Sequence, residues 1–193
     1  MRDERKVLCK NDILGRLSRA TLLLDSTAFI DAFKCADFMD FLVEVSEGGC
    51  ALATILSVLY EFKRGAKDIA QINNYNKFIK ELGMEIIPGM EDKAQRSEYQ
   101  IFMAIYSYEA MNGRKEKGPS YTDSLLCLAL YVYQHVDIRL LTTNYKDMPL
   151  SLFDREDILA FDTGRDVRTA AIYRLSEEKL TKELTKWRNR ANG

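Results

Sequence analysis

The chain has 193 residues, and 28 lysines and arginines nearly balance 29 aspartates and glutamates to give a formal net charge of −1. That length suits one domain whose core needs no covalent staples, and so small a net charge argues against capture of nucleic acid by the surface as a whole while leaving a local basic patch open. Cys9, Cys35, Cys50 and Cys127 form no Cys-x-x-Cys pair and His135 is the only histidine, a pattern that argues against a disulfide framework, a histidine-rich zinc site and two-histidine acid–base catalysis and that fits a reducing cytoplasm.

The start of the chain is charged and lacks the long apolar stretch of a secretory leader, and the most apolar segments, 50–60 and 125–136, are too short to span a bilayer. Residues 1–20 read as an N-terminal extension. Thr21–Leu24 is an apolar run with a β-branched start and reads as a buried strand ending at Asp25. Helical pieces are expected over Thr27–Phe33 and Ala36–Val45, closed by Gly48-Gly49. A small strand is expected at Cys50–Ala53, with Thr54 as the N-cap of a helix running to Arg64. Ala66–Leu82 carries Ile69, Ile72, Tyr75, Phe78, Ile79 and Leu82 at the spacing of an amphipathic helix. A strand at Met84–Ile87 stops at Pro88, and a helix follows over Glu91–Met111. A loop with Arg114, Lys115 and Lys117 precedes a helix from Ser120 to His135, which abuts the end of that helix. Strands are expected at Ile138–Thr142 and Ile158–Phe161, and then a polar, helical tail from Arg165 to Asn189. Strands that alternate with helices imply an α/β fold, a mostly parallel sheet covered on both faces. The expected division is a domain over 21–162 and a helical extension over 163–193.

Four acids stand at the mouths of apolar segments: Asp25 in LLLDSTAFI, Glu61 in ILSVLYEFKR, Asp123 in YTDSLLCLAL and Asp147 in LLTTNYKDMP. A carboxylate beside a buried run is costly unless it is neutralised, hydrogen-bonded or bound to a cation. Four such acids converging on one cleft point to a hard divalent metal and hydrolysis. Each also has an ordinary role. Asp25 suits a helix N-cap. Glu61 shares a helix face with Ser57 and can pair with Arg64. Asp123 fits the third position of a capping box begun by Ser120, on the side of Leu126, Cys127 and Leu130. Asp147 fits a turn. Asp31, Asp137, Asp154, Asp157 and Asp162 offer further acids of the same kind. Topology adds one constraint, because ligands of such sheets bind beyond the carboxyl ends of the strands, where Asp25 and Asp147 both fall.

In order and context, LLLDSTAFIDAF, ILSVLYEFKRG, YTDSLLCLALY and LLTTNYKDMP resemble the four signature segments of the PIN-domain nucleases, with the nearest likeness to the VapC-type toxins of bacterial and archaeal toxin–antitoxin pairs. The resemblance covers roughly residues 22–161. It implies a PIN-like three-layer sandwich, a central mostly parallel sheet with helices on both faces and an acidic pocket at one end. Asp25, Glu61 and Asp123 match the three core metal-binding acids, and Asp147 is carried as the fourth. Asn144 stands where many members have an Asp and becomes a metal-adjacent or substrate-orienting amide. Ser26 and Thr122 match small polar positions beside the acids.

The implied activity is an endoribonuclease using Mg²⁺ (or Mn²⁺), leaving a 5′-phosphate and a 3′-hydroxyl, with a cognate antitoxin and a homodimer as partners. An all-oxygen site suits those ions. An acidic pocket repels a polyanion, so basic groups around it must hold phosphates: Arg64 and Lys67, Arg114, Lys115 and Lys117, and Lys146. Ser26, Asn144, Arg64, Lys115 and Lys146 are the candidate substrate-binding residues. Single-stranded or looped RNA fits a pocket better than a duplex. The alternatives are a catalytically degenerate PIN-like module that binds RNA or protein, and an unrelated α/β phosphate-binding protein, which lacks a Gly-rich phosphate loop here.

Overall fold

Short apolar strands that are buried on both faces set the centre of the molecule. The computed structural model describes residues 10–111, 118–162 and 166–191; Cys9, Arg114, Lys115, Lys117 and Arg165 lie outside them. β1 (Thr21–Leu24) and β4 (Ile138–Thr142) are almost wholly buried, as expected of strands with helices on either side. β1 pairs in parallel with β2 (Ala51–Ile55) and with β4, and β2 pairs in parallel with β3 (Glu85–Ile87). Two longer strands, β5 (Phe153–Asp162) and β6 (Val167–Leu175), form an antiparallel hairpin, with β6 antiparallel to β4. The sheet has six strands in the order β3-β2-β1-β4-β6-β5 and is mostly parallel.

The helices follow from the crossovers. α1 (Lys10–Leu17) precedes β1 and buries Ile13 and Leu17 in the same core. α2 (Ser26–Lys34) and α3 (Ala36–Glu47) join β1 to β2, and α4 (Leu56–Arg64) and α5 (Ile69–Glu81) join β2 to β3. α6 (Met90–Ala94), α7 (Ser97–Met111) and α8 (Tyr121–Val132) then return the chain to β4. α9 (Glu177–Ala191) ends the described chain. The path steps β1 to β2 to β3 one way across the sheet and then doubles back to β4. Right-handed crossovers in opposite directions place their helices on opposite faces. The side chains agree. Phe29 of α2, Phe62 of α4 and Phe78 of α5 form one aromatic cluster, while Phe102 of α7 stacks on Tyr131 of α8 in another, with centroids 4.4 Å apart. Among the described residues no helix is long and apolar enough to cross a membrane.

Four expectations need correction. Thr54 is not a helix N-cap: it remains in β2 and its hydroxyl donates to the Leu24 carbonyl at 2.9 Å, while Ile55 precedes α4 without a side-chain cap. The helix expected over 91–111 is two helices, broken around Gln95 and Arg96. The tail is not helical from its start. Residues 167–175 form β6, which lies between β4 and β5. The spacing of Val167, Ala171, Ile172 and Leu175 imitates a helical stripe, yet Ala170–Tyr173 is a continuous buried run, the pattern of a strand covered on both faces. The helical extension assigned to 163–193 therefore supplies an interior strand, and among its described residues only 177–191 is helix. β5 is also longer than the strand expected at 158–161.

Candidate functional site

The doubling back of the chain leaves β1 and β4 as neighbours whose connections depart in opposite directions, and a crevice opens beyond their carboxyl ends. Asp25 follows β1 directly. It caps α2, with one carboxylate oxygen accepting the Ala28 N–H at 2.7 Å. The Thr27 hydroxyl donates to the same carboxylate, at 2.9 and 2.8 Å to its two oxygens. From β4 the Thr142 hydroxyl donates to Oδ2. Thr142 in turn accepts the Asn144 N–H, and Thr27 accepts the Thr143 N–H. Asp25 thus ties the two strand ends together. At 5% exposure its carboxyl is pushed up to about 6, burial being the largest cause and the charge of Asp123 adding to it, while the hydrogen bonds from Thr142, Ala28 and Thr27 oppose both.

Asp123 comes from the other helical layer. Ser120 caps α8, its hydroxyl accepting the Asp123 N–H, and the Asp123 carboxylate accepts the Ser120 N–H at 2.9 Å, which completes the expected capping box. Burial raises the Asp123 carboxyl above its ordinary value; its Ser120 bonds lower it, and the charges of Asp147 and Glu61 raise it further. Asp147 sits in a single 3₁₀ turn, Tyr145–Asp147, after β4. The Asn144 side-chain amide donates to its Oδ2 at 2.5 Å, and Tyr106 of α7 donates to its backbone carbonyl at 2.9 Å. Asp25, Asp123, Asn144, Thr142 and Asp147 line one small cavity over a floor of Leu126, Cys127, Leu140 and Met148.

Glu61 does not line that cavity. Its links are to Ser26, the residue after Asp25, whose hydroxyl donates to Glu61 Oε2 at 3.1 Å, and to Asp123, whose carboxyl its charge helps to raise. The pairing with Arg64 open to it in sequence is absent among the described ion pairs. Arg64 and Lys146 are exposed, and Lys115 falls outside the described residues. Among the described residues no three His, Cys, Asp or Glu side chains stand close enough together to hold a metal ion as they are.

Ion pairing distinguishes three of the candidate acids from four of the other acids. Asp31 is paired with Arg168, Asp137 with Arg139, Asp154 with Lys179 and Asp157 with Arg16. Asp25, Glu61 and Asp123 have no cation partner among the described residues; hydroxyls and backbone amides meet them instead. Sequence reading missed Thr27 and Thr142. The signal was a hydroxyl-bearing residue at the end of one strand (Thr142) and three residues past the end of the other (Thr27), but it becomes informative only once β1 and β4 are known to be adjacent. The ring of Tyr106 is fully buried, and its hydroxyl holds the Asp147 turn. No protein-family model matches the chain, and no curated protein matches it.

Proposed function

We propose that the chain is a metal-dependent ribonuclease with a PIN-like fold. One observation carries this reading: three acids from distant parts of the chain, Asp25, Asp123 and Asp147, line a single cavity at the point where the strand order reverses. Two of them have carboxyls raised by burial and by the charge of neighbouring acids, the condition that a bound cation relieves. Their donors are all oxygen, which suits Mg²⁺ or Mn²⁺. Asp25, Asp123 and Asp147 would hold the ion, with Glu61 brought toward it from Ser26. A bound divalent ion supplies a more acidic water and charge stabilisation for the leaving oxygen of an RNA phosphodiester. The residues of the chain orient that set. Thr27, Thr142 and the Ala28 N–H fix both oxygens of Asp25, the Asn144 amide turns Asp147, and Ser26 positions Glu61. Arg64, three residues after Glu61, and Lys146, next to Asp147, are exposed and suited to phosphate contacts.

The likeness of the four segments to VapC-type toxins supports a toxin role with a cognate antitoxin, and a homodimer. The test is cleavage of a single-stranded RNA by the purified chain with Mn²⁺ or Mg²⁺, with chelator as the control. Cleavage is expected with metal alone, and Asp25→Asn or Asp123→Asn should lower it at least about a hundredfold, the scale of losing a group that positions the reacting centre. Growth arrest on induction, relieved by either variant, tests the toxin role. A second reading, a PIN-like module that binds RNA or protein without cutting, is favoured by Asn144, an amide at the end of β4, and by acids that are not gathered to metal-binding distance. RNA binding without cleavage under every metal condition would establish it.

A further inference from the structure

The outer face of α4 carries apolar side chains where a solvated helix carries polar ones. The helix buries Val58, Leu59 and Phe62. Residues four apart on a helix share a strip, and the strip away from that core is Leu56, Tyr60 and Arg64. Leu56 is 61% exposed and Tyr60 69%, and Arg64 is exposed as well. The Tyr60 ring meets no other ring and no cation among the described residues. The end of the strip is cationic: Lys63 and Arg64 close the helix and Lys67 follows. None of the three forms an ion pair among the described residues. Cations at a helix C-terminus favour its dipole, which accounts for the charges but not for the bare tyrosine one turn before them. The adjoining strip of α4 holds Ser57 and Glu61. Glu61 accepts the hydroxyl of Ser26, the residue after Asp25, at 3.1 Å, so Tyr60 precedes directly the carboxylate that ties α4 to the candidate site.

We infer that Tyr60 stacks on an unpaired base of single-stranded RNA while Lys63, Arg64 and Lys67 hold its phosphates. The identity of the substrate rests on the ribonuclease reading; the new element is a residue that selects single strands. A base offers its face only when it is out of a stack, and an aromatic ring beside basic groups holds single strands without regard to sequence. Paired RNA brings phosphates to the cations but no base face to the ring. A single strand brings a flat apolar face and negative charge together, which matches the mixed character of this strip.

The test is fluorescence anisotropy of a short labelled oligouridylate with the full chain, in chelator so that binding is read without cleavage. The same strand annealed to its complement is the comparison. The single strand is expected to bind the tighter. Tyr60→Ala should weaken it by about tenfold, the scale of one lost base stack, and leave duplex binding unchanged, while Tyr60→Phe binds as the wild type does. Arg64→Ala should weaken both RNAs and lower the salt dependence of binding. Tyr60 is exposed, so Tyr60→Ala should keep the wild-type thermal midpoint. Tyr60-dependent binding with no cleavage under any metal condition removes the ribonuclease reading and leaves the stacking role standing. Metal-dependent cleavage with equal single-strand binding by wild type and Tyr60→Ala does the reverse. No RNA binding, equal losses on single strand and duplex, or failure of Tyr60→Phe to retain binding overturns the stacking role. So does a dimer of the full chain that Tyr60→Ala converts to a monomer, since it gives the strip to a second copy.

Discussion

Asp25 is charged at neutral pH only at a cost to the fold. Its carboxyl lies at about 6 in the folded chain against an ordinary value of 3.8. Well below the ordinary value the group is protonated in both the folded and unfolded states and contributes nothing. Between the two values the folded chain keeps a proton that the unfolded chain has lost. Stability therefore falls as pH rises through this window, and above about 6 the full cost, on the order of 3 kcal/mol, is in place. Asp123 is displaced in the same direction and adds a cost of the same sign. Urea midpoints of the wild type should accordingly drop between pH 5 and pH 7.5, and Asp25→Asn should flatten the slope. The asparagine oxygen still accepts the Ala28 N–H, and the Thr142 hydroxyl can rotate to accept from its amide. An unchanged slope in the variant would mean that other groups carry it. Thr142→Val keeps the shape of the strand end and removes one hydroxyl donor to the carboxylate. It should destabilise by about 1–3 kcal/mol, and by more at pH 7.5 than at pH 5, because the lost hydrogen bond serves the charged form. Equal losses at both pH values would assign Thr142 a packing role alone.

At the scale of elements, the strands that hold the site were legible and the strand that completes the sheet was not. Thr21–Leu24 and Ile138–Thr142 are short apolar runs ended by polar turns, and they appear as read. The residues 167–175 mislead because arginines and a threonine interrupt an apolar set at near-helical intervals; only pairing with β4 and β5 reveals them as a strand. Thr54 misleads for a related reason. A threonine before a helix reads as a cap, but its hydroxyl goes to the Leu24 carbonyl of the neighbouring strand, a partner that no local pattern discloses. Within the site, each acid was visible with its neighbours, while the hydroxyls that hold Asp25 depended on which strands are adjacent. The position of β6 has a direct consequence. A chain ending at residue 162 would lose Ala170, Ala171, Ile172, Tyr173 and Leu175 from the core. Emptying one large core position costs about 2–5 kcal/mol, against a total stability of about 5–15 kcal/mol. That chain should fail to fold, seen as the absence of a cooperative thermal transition by circular dichroism. A cooperative transition would mean that the segment after 162 is dispensable.

The whole molecule is closed by its two ends. α1 contributes Ile13 and Leu17 to the core, and the C-terminal segment contributes β6 and then returns α9 to the far layer, where the indole of Trp187 meets the edge of the Tyr108 ring at 5.8 Å and Arg190 lies over the same ring. Loss of α1 would remove Ile13 and Leu17 from the core, and loss of the C-terminal segment would open the sheet and uncover α7. Such a topology predicts that unfolding is cooperative from one end of the chain to the other. Trp187 is the only tryptophan, so its fluorescence reports on α9 and α7, whereas far-ultraviolet circular dichroism reports on every element. The two signals should share one urea midpoint. Leu180 is 5% exposed on α9, and Leu180→Ala should move both midpoints together, by about 2–5 kcal/mol of stability. Were α9 a separately folding appendage, the fluorescence change would precede the loss of circular dichroism, and Leu180→Ala would shift the first signal while leaving the second in place.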